Sequence, residues 1–164
     1  MYFVGLVIGS FILPRLGDIY SRKRIALFAN ILHIAACTLL MISESFAVTI
    51  WLNLVIGFGL AGRSFVGYAW MAENVRARDM PTITAKIFMI DGSTLFIATM
   101  YFRYINKDWL YIYGVPVILH VFVMFALLNE KDGPKYDYAH GNYDKCRMKL
   151  TKIGQDNGIL TVTE

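Results

Sequence analysis

The chain has 164 residues, 57% of them hydrophobic, and a formal net charge of +4. Soluble domains average about 45–50% apolar residues, and one this small lacks the interior to bury the excess. Residues 25–42, 46–62, 92–102 and 110–128 hold no Asp, Glu, Lys or Arg, so the cations flank apolar runs. That pattern excludes an ordinary soluble fold and a nucleic-acid-binding patch.

In chain order, residues 1–14 read as an apolar helix. At ~1.5 Å per residue it spans about 20 Å, short of a ~30 Å hydrocarbon core, so the first helix is expected to be partial. Met1-Tyr-Phe-Val-Gly5 has neither the basic region nor the cleavage-like site of a secretory signal. A tight basic turn follows, Pro14-Arg-Leu-Gly-Asp18-Ile-Tyr-Ser-Arg22-Lys23-Arg24. The second helix is expected at about 24–43, closed by Ser43-Glu44-Ser45. A glycine-rich third helix, 46–72, contains Gly57, Gly59, Gly62 and Gly67, and 74–81 is a charged loop. The fourth and fifth helices are placed at 82–103 and 109–129. From 130 to 158 the composition turns polar, with Gly133-Pro134 as a breaker and a helix at about 142–154, ended near Asn157-Gly158 and followed by a tail, 159–164.

The spacing of Tyr143, Cys146, Leu150 and Ile153 gives that helix one apolar face, with Lys145, Lys149 and Lys152 turned to water or lipid headgroups. The fold class is therefore all-α, a multi-pass helix bundle of five spans with an amphipathic helix after it.

Charge asymmetry orients the bundle. Arg15, Arg22, Lys23, Arg24, Arg76, Arg78, Lys131, Lys135, Lys145, Arg147, Lys149 and Lys152 fall on one side, against Arg103 and Lys107 on the other. Cations stay in the cytoplasm, so the first loop and the tail are expected there.

The basic turn resembles the loop signature of the major facilitator transporters, Gly-x-Leu-Ala-Asp-Arg-x-Gly-Arg-Arg/Lys. Leu16, Asp18, Arg22 and Lys23 match it, while Pro14, Gly17, Ile19 and Ser21 stand where that family has Gly, Ala, Arg and Gly. The tail is similar to the segment after the sixth helix of sugar-porter and organic-ion members. Asp132-Gly-Pro134-Lys135-Tyr136, Gly141-Asn-Tyr143-Asp144 and Asn157-Gly158 fit its spacing without a gap. Asn53-Leu-Val-Ile-Gly57-Phe-Gly59-Leu-Ala-Gly62, then Glu73, looks like the fourth family helix, with Asn53 in the position of its Arg.

The resemblance thus covers family helices two to six of twelve. It implies transport of a small organic solute, a sugar or organic ion, by alternating access between two halves. The missing half would lie in the same longer chain or in a partner chain. The implied setting is the lipid bilayer, the plasma membrane before an organelle membrane. The competing reading is a truncated, non-transporting membrane subunit with an assembly or regulatory role.

By the same resemblance, Asp18, Arg22, Lys23, Glu73, Arg76 and Arg78 form a cytoplasmic gating cluster. The family's loop Asp meets a helix of the second half, so Asp18 is expected to lack its partner here. Charges inside hydrocarbon are costly and mark function. Arg63 and Asp91 lie at matched depth, which predicts an intramembrane pair, with a solute or proton role for Asp91 as the alternative. Asn53 joins them as a candidate lining residue. Lys86 and Arg103 are close enough to helix ends to snorkel. His33, His120 and Asn30 read as packed or hydrogen-bonded groups before a proton relay, and Trp51, Trp70 and Trp109 as an interfacial belt.

Enzyme chemistry finds no constellation: there is no phosphate-binding glycine loop, and Ser64 lacks the second glycine of a nucleophile elbow. Cys37 and Cys146 form neither a disulfide framework nor, with the histidines, a metal-ligand cluster. No cofactor, metal or nucleic acid is expected.

Overall fold

The computed structural model describes residues 1–76, 78–129 and 133–156. All regular structure among them is helical: α1 (Tyr2–Tyr20), α2 (Arg22–Ile42), α3 (Phe46–Ala61), a π-helical turn (Gly62–Val66), α4 (Gly67–Asn74), α5 (Met80–Tyr104), α6 (Trp109–Asn129), α7 (Pro134–Ala139) and α8 (Tyr143–Asp156). α3, the π turn and α4 run on as one span of 29 residues, so five helices are long and apolar enough to cross a membrane. Contacts divide the chain into two compact units, Met1–Glu130 and Lys131–Glu164.

α1 continues six residues beyond the expected end at 14, with Pro14 inside it. Proline removes one N–H bond, the one Ser10 would accept, and the helix carries on. The basic turn therefore shrinks to a single residue, Ser21, between α1 and α2. Ser21 is 1% exposed and has φ of 144°, a region open to glycine and strained for serine. This is the position at which the family pattern carries glycine, and the backbone supplies the reason.

The first unit is assembled on α3. α1 and α2 both pack along it, and α2 also meets the π turn, α4 and α6. In hydrocarbon there is no hydrophobic drive for helices to associate, so close backbone approach has to supply the contact. A Cβ on Gly57 would overlap the Tyr2 carbonyl oxygen, and one on Gly5 would overlap that of Leu54. On the other side, at the start of the π turn, a Cβ on Gly62 would overlap the Ala29 Cβ. Leu13, Ala26, Ala61 and Val66 fill the junction of the three helices. α5 and α6 bury no residue within the unit. α5 touches the other helices at isolated points, among them Tyr68 Oη to Thr84 Oγ1 at 3.1 Å. The outward side chains, such as Phe3, Phe11, Phe88 and Phe122, are apolar and exposed, as a lipid-facing surface requires.

In the second unit α8 packs on α7. Cys146 is buried, but Tyr143 and Leu150 are exposed, and Lys149 is drawn inward by an ion pair with Asp137. The covered strip is thus 146 and 149, three apart on the helix, in place of the expected 143–146–150–153 face. α7 lies over that strip, and Tyr143 instead sets its ring against Tyr138, at 5.5 Å between centroids. Asn157-Gly158 and the tail 159–164 lie outside the described residues.

Two outcomes follow. Gly57→Ala should push α1 off α3 and cost about 1–3 kcal/mol in the thermal melting of the detergent-purified chain. Gly67→Ala, with nothing within 4 Å of the added carbon, should stay within about 0.5 kcal/mol; equal melting of the two would remove the backbone contact as the organising interaction. At the hinge, Ser21→Gly should melt no lower than the parent, whereas Ser21→Val should lose about 1–3 kcal/mol. A tolerated valine would mean that the hinge is unstrained.

Candidate functional site: a charge network and the polar groups within the spans

The single-residue hinge brings the end of α1 and the start of α2 together, and so places Asp18 beside Arg22. Arg22 Nη2 stands 2.9 Å from Asp18 Oδ1, and its Nε donates to the same oxygen at 3.2 Å. The other arm of the guanidinium reaches α4, with Nη1 3.2 Å from Glu73 Oε1. Each of these charges sits at the end of its helix that the peptide dipoles disfavour: acids at C-termini, a cation at an N-terminus. They are held by one another, with the planar fork of Arg22 divided between two carboxylates. The two pairs differ in strength. Glu73 is 11% exposed and Asp18 63%, so the Glu73 contact is the better shielded from water. Asp18, expected to lack a partner, is paired with Arg22.

The other three members of the expected cluster go elsewhere. Lys23 Nζ donates to the Leu128 carbonyl in the last turn of α6, at 3.2 Å, where the helix dipole favours a cation. Arg76 pairs with Asp79 in its own loop at 3.1 Å. Arg78 is exposed and makes no ion pair among the described residues.

Within the spans, Arg63 lies in the π turn, a widened stretch of helix of a kind common at functional sites. The expected ion pair with Asp91 does not form. Asp91 is exposed on α5, which does not pack along the helix carrying Arg63, and it acts on Arg63 only through space. Among the described residues neither side chain has a hydrogen-bonding or ion-pair partner. Asn53 is satisfied within its own helix, Nδ2 donating to the Thr49 carbonyl at 2.8 Å.

Sequence reasoning treated His33 and His120 separately, but the fold joins them. Their rings meet edge to face across α2 and α6, 5.4 Å between centroids and 62° between planes. His33 Nδ1 is 3.2 Å from the Ile56 carbonyl. One turn on, Cys37 Sγ lies 3.9 Å from Tyr113 Oη. Asn30, on the same helix, is 1% exposed, and neither amide atom has a partner among the described residues. The signal available in sequence was the spacing 30, 33, 37 of polar residues on α2; which helix faced them was not encoded locally.

Residues 1–161 match the family described as Sugar (and other) transporter. The chain is 24% identical to the organic cation/carnitine transporter 2 of Homo sapiens, over 98% of this chain and 29% of that protein. It is 24% identical to the myo-inositol transporter 1 of Candida albicans, over 93% and 28%. With the human proton myo-inositol cotransporter the identity is 25%, over 91% and 23%. The chain therefore spans less than a third of the length of these relatives. Its five apolar spans and their glycine-tight packing agree with the match: the chain is an integral, multi-pass membrane protein and belongs to the sugar transporter family of the major facilitators.

Proposed function

We propose that this chain is part of a transporter that moves a small organic solute, a sugar, polyol or organic ion, across the plasma membrane by alternating access. The completing half comes from a longer form of the same chain or from a partner chain. The observation that carries the reading is the Asp18–Arg22–Glu73 network, which ties three helices together at one end of the bundle. A contact between helix ends that is strong when dry and weak when wet is suited to a gate. It holds while that end is closed and loosens as water enters. The network forms the inner gate, with Lys23 steadying α6 beside it and Arg76 and Arg78 supplying the surrounding positive field.

The solute path runs past Arg63, Asp91 and Asn53. A charge in hydrocarbon costs about 2.5–3.5 kcal/mol on insertion scales, so two unpaired opposite charges are best accommodated beside a wet path. The relatives named for carnitine and for myo-inositol bracket the solute chemistry, a charged small molecule at one end and a neutral polyol at the other.

Two experiments on full-length protein in cells test these assignments, with surface level measured alongside uptake. Glu73→Gln should lower flux roughly tenfold, the effect of ~1.4 kcal/mol on the balance between two conformations; Asp18→Asn should lower it less. Normal flux at normal surface level in both variants would reduce the network to a structural contact. Asp91→Asn and Arg63→Gln should each change the ratio of organic-cation to polyol uptake by about tenfold or more, since a desolvated charge contact is worth ~1.5–3 kcal/mol. An unchanged ratio would place both residues off the path. Absence of uptake of any such solute at normal surface level would favour a non-transporting subunit.

A further inference from the structure

α6 is held to the bundle mainly along α2, by a ladder of contacts that runs antiparallel from end to end. Lys23 Nζ donates to the Leu128 carbonyl at 3.2 Å, His33 meets His120, and Cys37 meets Tyr113. At the far end Met41 lies against Gly114. Only the histidine rung can change charge near neutral pH.

Both rings are anchored to backbone. The His33 Nδ1 faces the Ile56 carbonyl at 3.2 Å, and the His120 ring is hydrogen-bonded to the Pro116 carbonyl. A carbonyl only accepts, so in each case the bonded ring nitrogen carries the hydrogen. The other nitrogen of each neutral ring is then a bare lone pair, the atom to which a proton would add. The surroundings give that proton no anion. Arg63 of the π turn acts on both rings, and each ring also faces the other. Cys37 of α2 and Tyr113 of α6 sit one rung away and bind each other. Tyr2 of α1 and Asp91 of α5 act on Arg63, and among the described residues no carboxylate acts on either imidazole.

We propose that the His33–His120 pair is a proton-binding site that governs the attachment of α6 to α2. The seam is closed while both rings are neutral and opens when a proton enters. An added proton creates an imidazolium in a half-dry seam, beside a second ring and in the field of an arginine of the same sign. Relief comes from moving the ring toward water or headgroups, which parts the helices. The seam is therefore intact at the alkaline end and is lost as pH falls through the imidazole range. The Lys23–Leu128 contact shares the seam and is loosened with it. The pair is a site separate from the Asp18–Arg22–Glu73 network and does not depend on what solute is carried.

The test is a distance measurement on the whole chain in lipid nanodiscs, by double electron–electron resonance. Spin labels are placed at Leu39 and Tyr111, both exposed, in a Cys37→Ser, Cys146→Ser background. Between about pH 8 and about pH 5, which brackets the ordinary imidazole range, the α2–α6 distance should lengthen and broaden reversibly. The double variant His33→Gln, His120→Gln, which keeps hydrogen-bonding side chains but takes no proton in this range, should hold the short distance at both ends. An acid-insensitive parent, or a double variant that opens with acid as the parent does, overturns the proposal. If the double variant is open throughout, the rings themselves are needed for packing, and the imidazole nitrogen resonances of the parent decide. A proton arriving on one ring as the seam opens supports the site, and two neutral rings in an opened seam overturn it.

Discussion

Everything in the first unit rests on the contact of α1 with α3 at the level of backbone. Gly5 and Gly57 are reciprocal: each leaves room for a carbonyl of the opposite helix that any Cβ would strike. Lipid is as apolar as leucine, so helices gain nothing by hiding side chains from it. They gain from the density of contact, which rises steeply as axes approach. α2 uses the other side of the same helix, where Gly59 and Gly62 face Ala29 and His33. α3 is thus the post to which both neighbours are fitted, and its small residues set the spacing of the rest.

That spacing decides what the charges can do. With α1 and α2 both drawn against the same span, their shared hinge lies beside its lower end, and Glu73 comes within 3.2 Å of Arg22. The hinge has one residue, in a backbone conformation that serine tolerates poorly. Local strain of this kind persists when the surrounding packing over-determines it. The strain, the one-residue turn and the divided guanidinium are consequences of one demand, that two helices end at the same point on a third.

Much of this was legible in the sequence, and the limits are physical. Charge-free runs marked four of the five spans and an apolar start marked the first, because hydrocarbon enforces that pattern on any chain that crosses it. Gly57, Gly59 and Gly62 announced close packing. The basic stretch from Pro14 was read as loop and the first helix ended too early; a helix loses only one bond in passing a proline, and Leu13 and Gly17 on either side of Pro14 are buried in α1. Depth along a helix was readable at 1.5 Å per residue, but rotation about the axis was not. Arg63 and Asp91 were assigned one level from rise alone and assumed to face each other, and among the described residues no ion pair joins them. For the same reason the meeting of His33 with His120 escaped notice: residues 87 positions apart are brought together by the packing of α6 on α2, which no local pattern records. In the tail, periodicity found a real amphipathic helix and missed the strip that α7 covers.

The polar groups inside the spans fall into two sets, and the division bears on function. Asn53 and His33 are satisfied by backbone carbonyls at 2.8 and 3.2 Å, and Thr38 and Thr99 bond back to their own helices at 2.8 and 2.9 Å. Each of these groups has at least one backbone partner within the helices. Arg63, Asp91 and Asn30 have no such partner among the described residues. Leaving a buried amide unpaired costs about 1–3 kcal/mol and a lone charge in hydrocarbon somewhat more. A fold held together by glycine contacts has little surplus to carry that load without return. Under the proposed function, the unpaired groups are the ones whose partners come from outside these helices: water in a solute path, the solute, or the helices of a completing half.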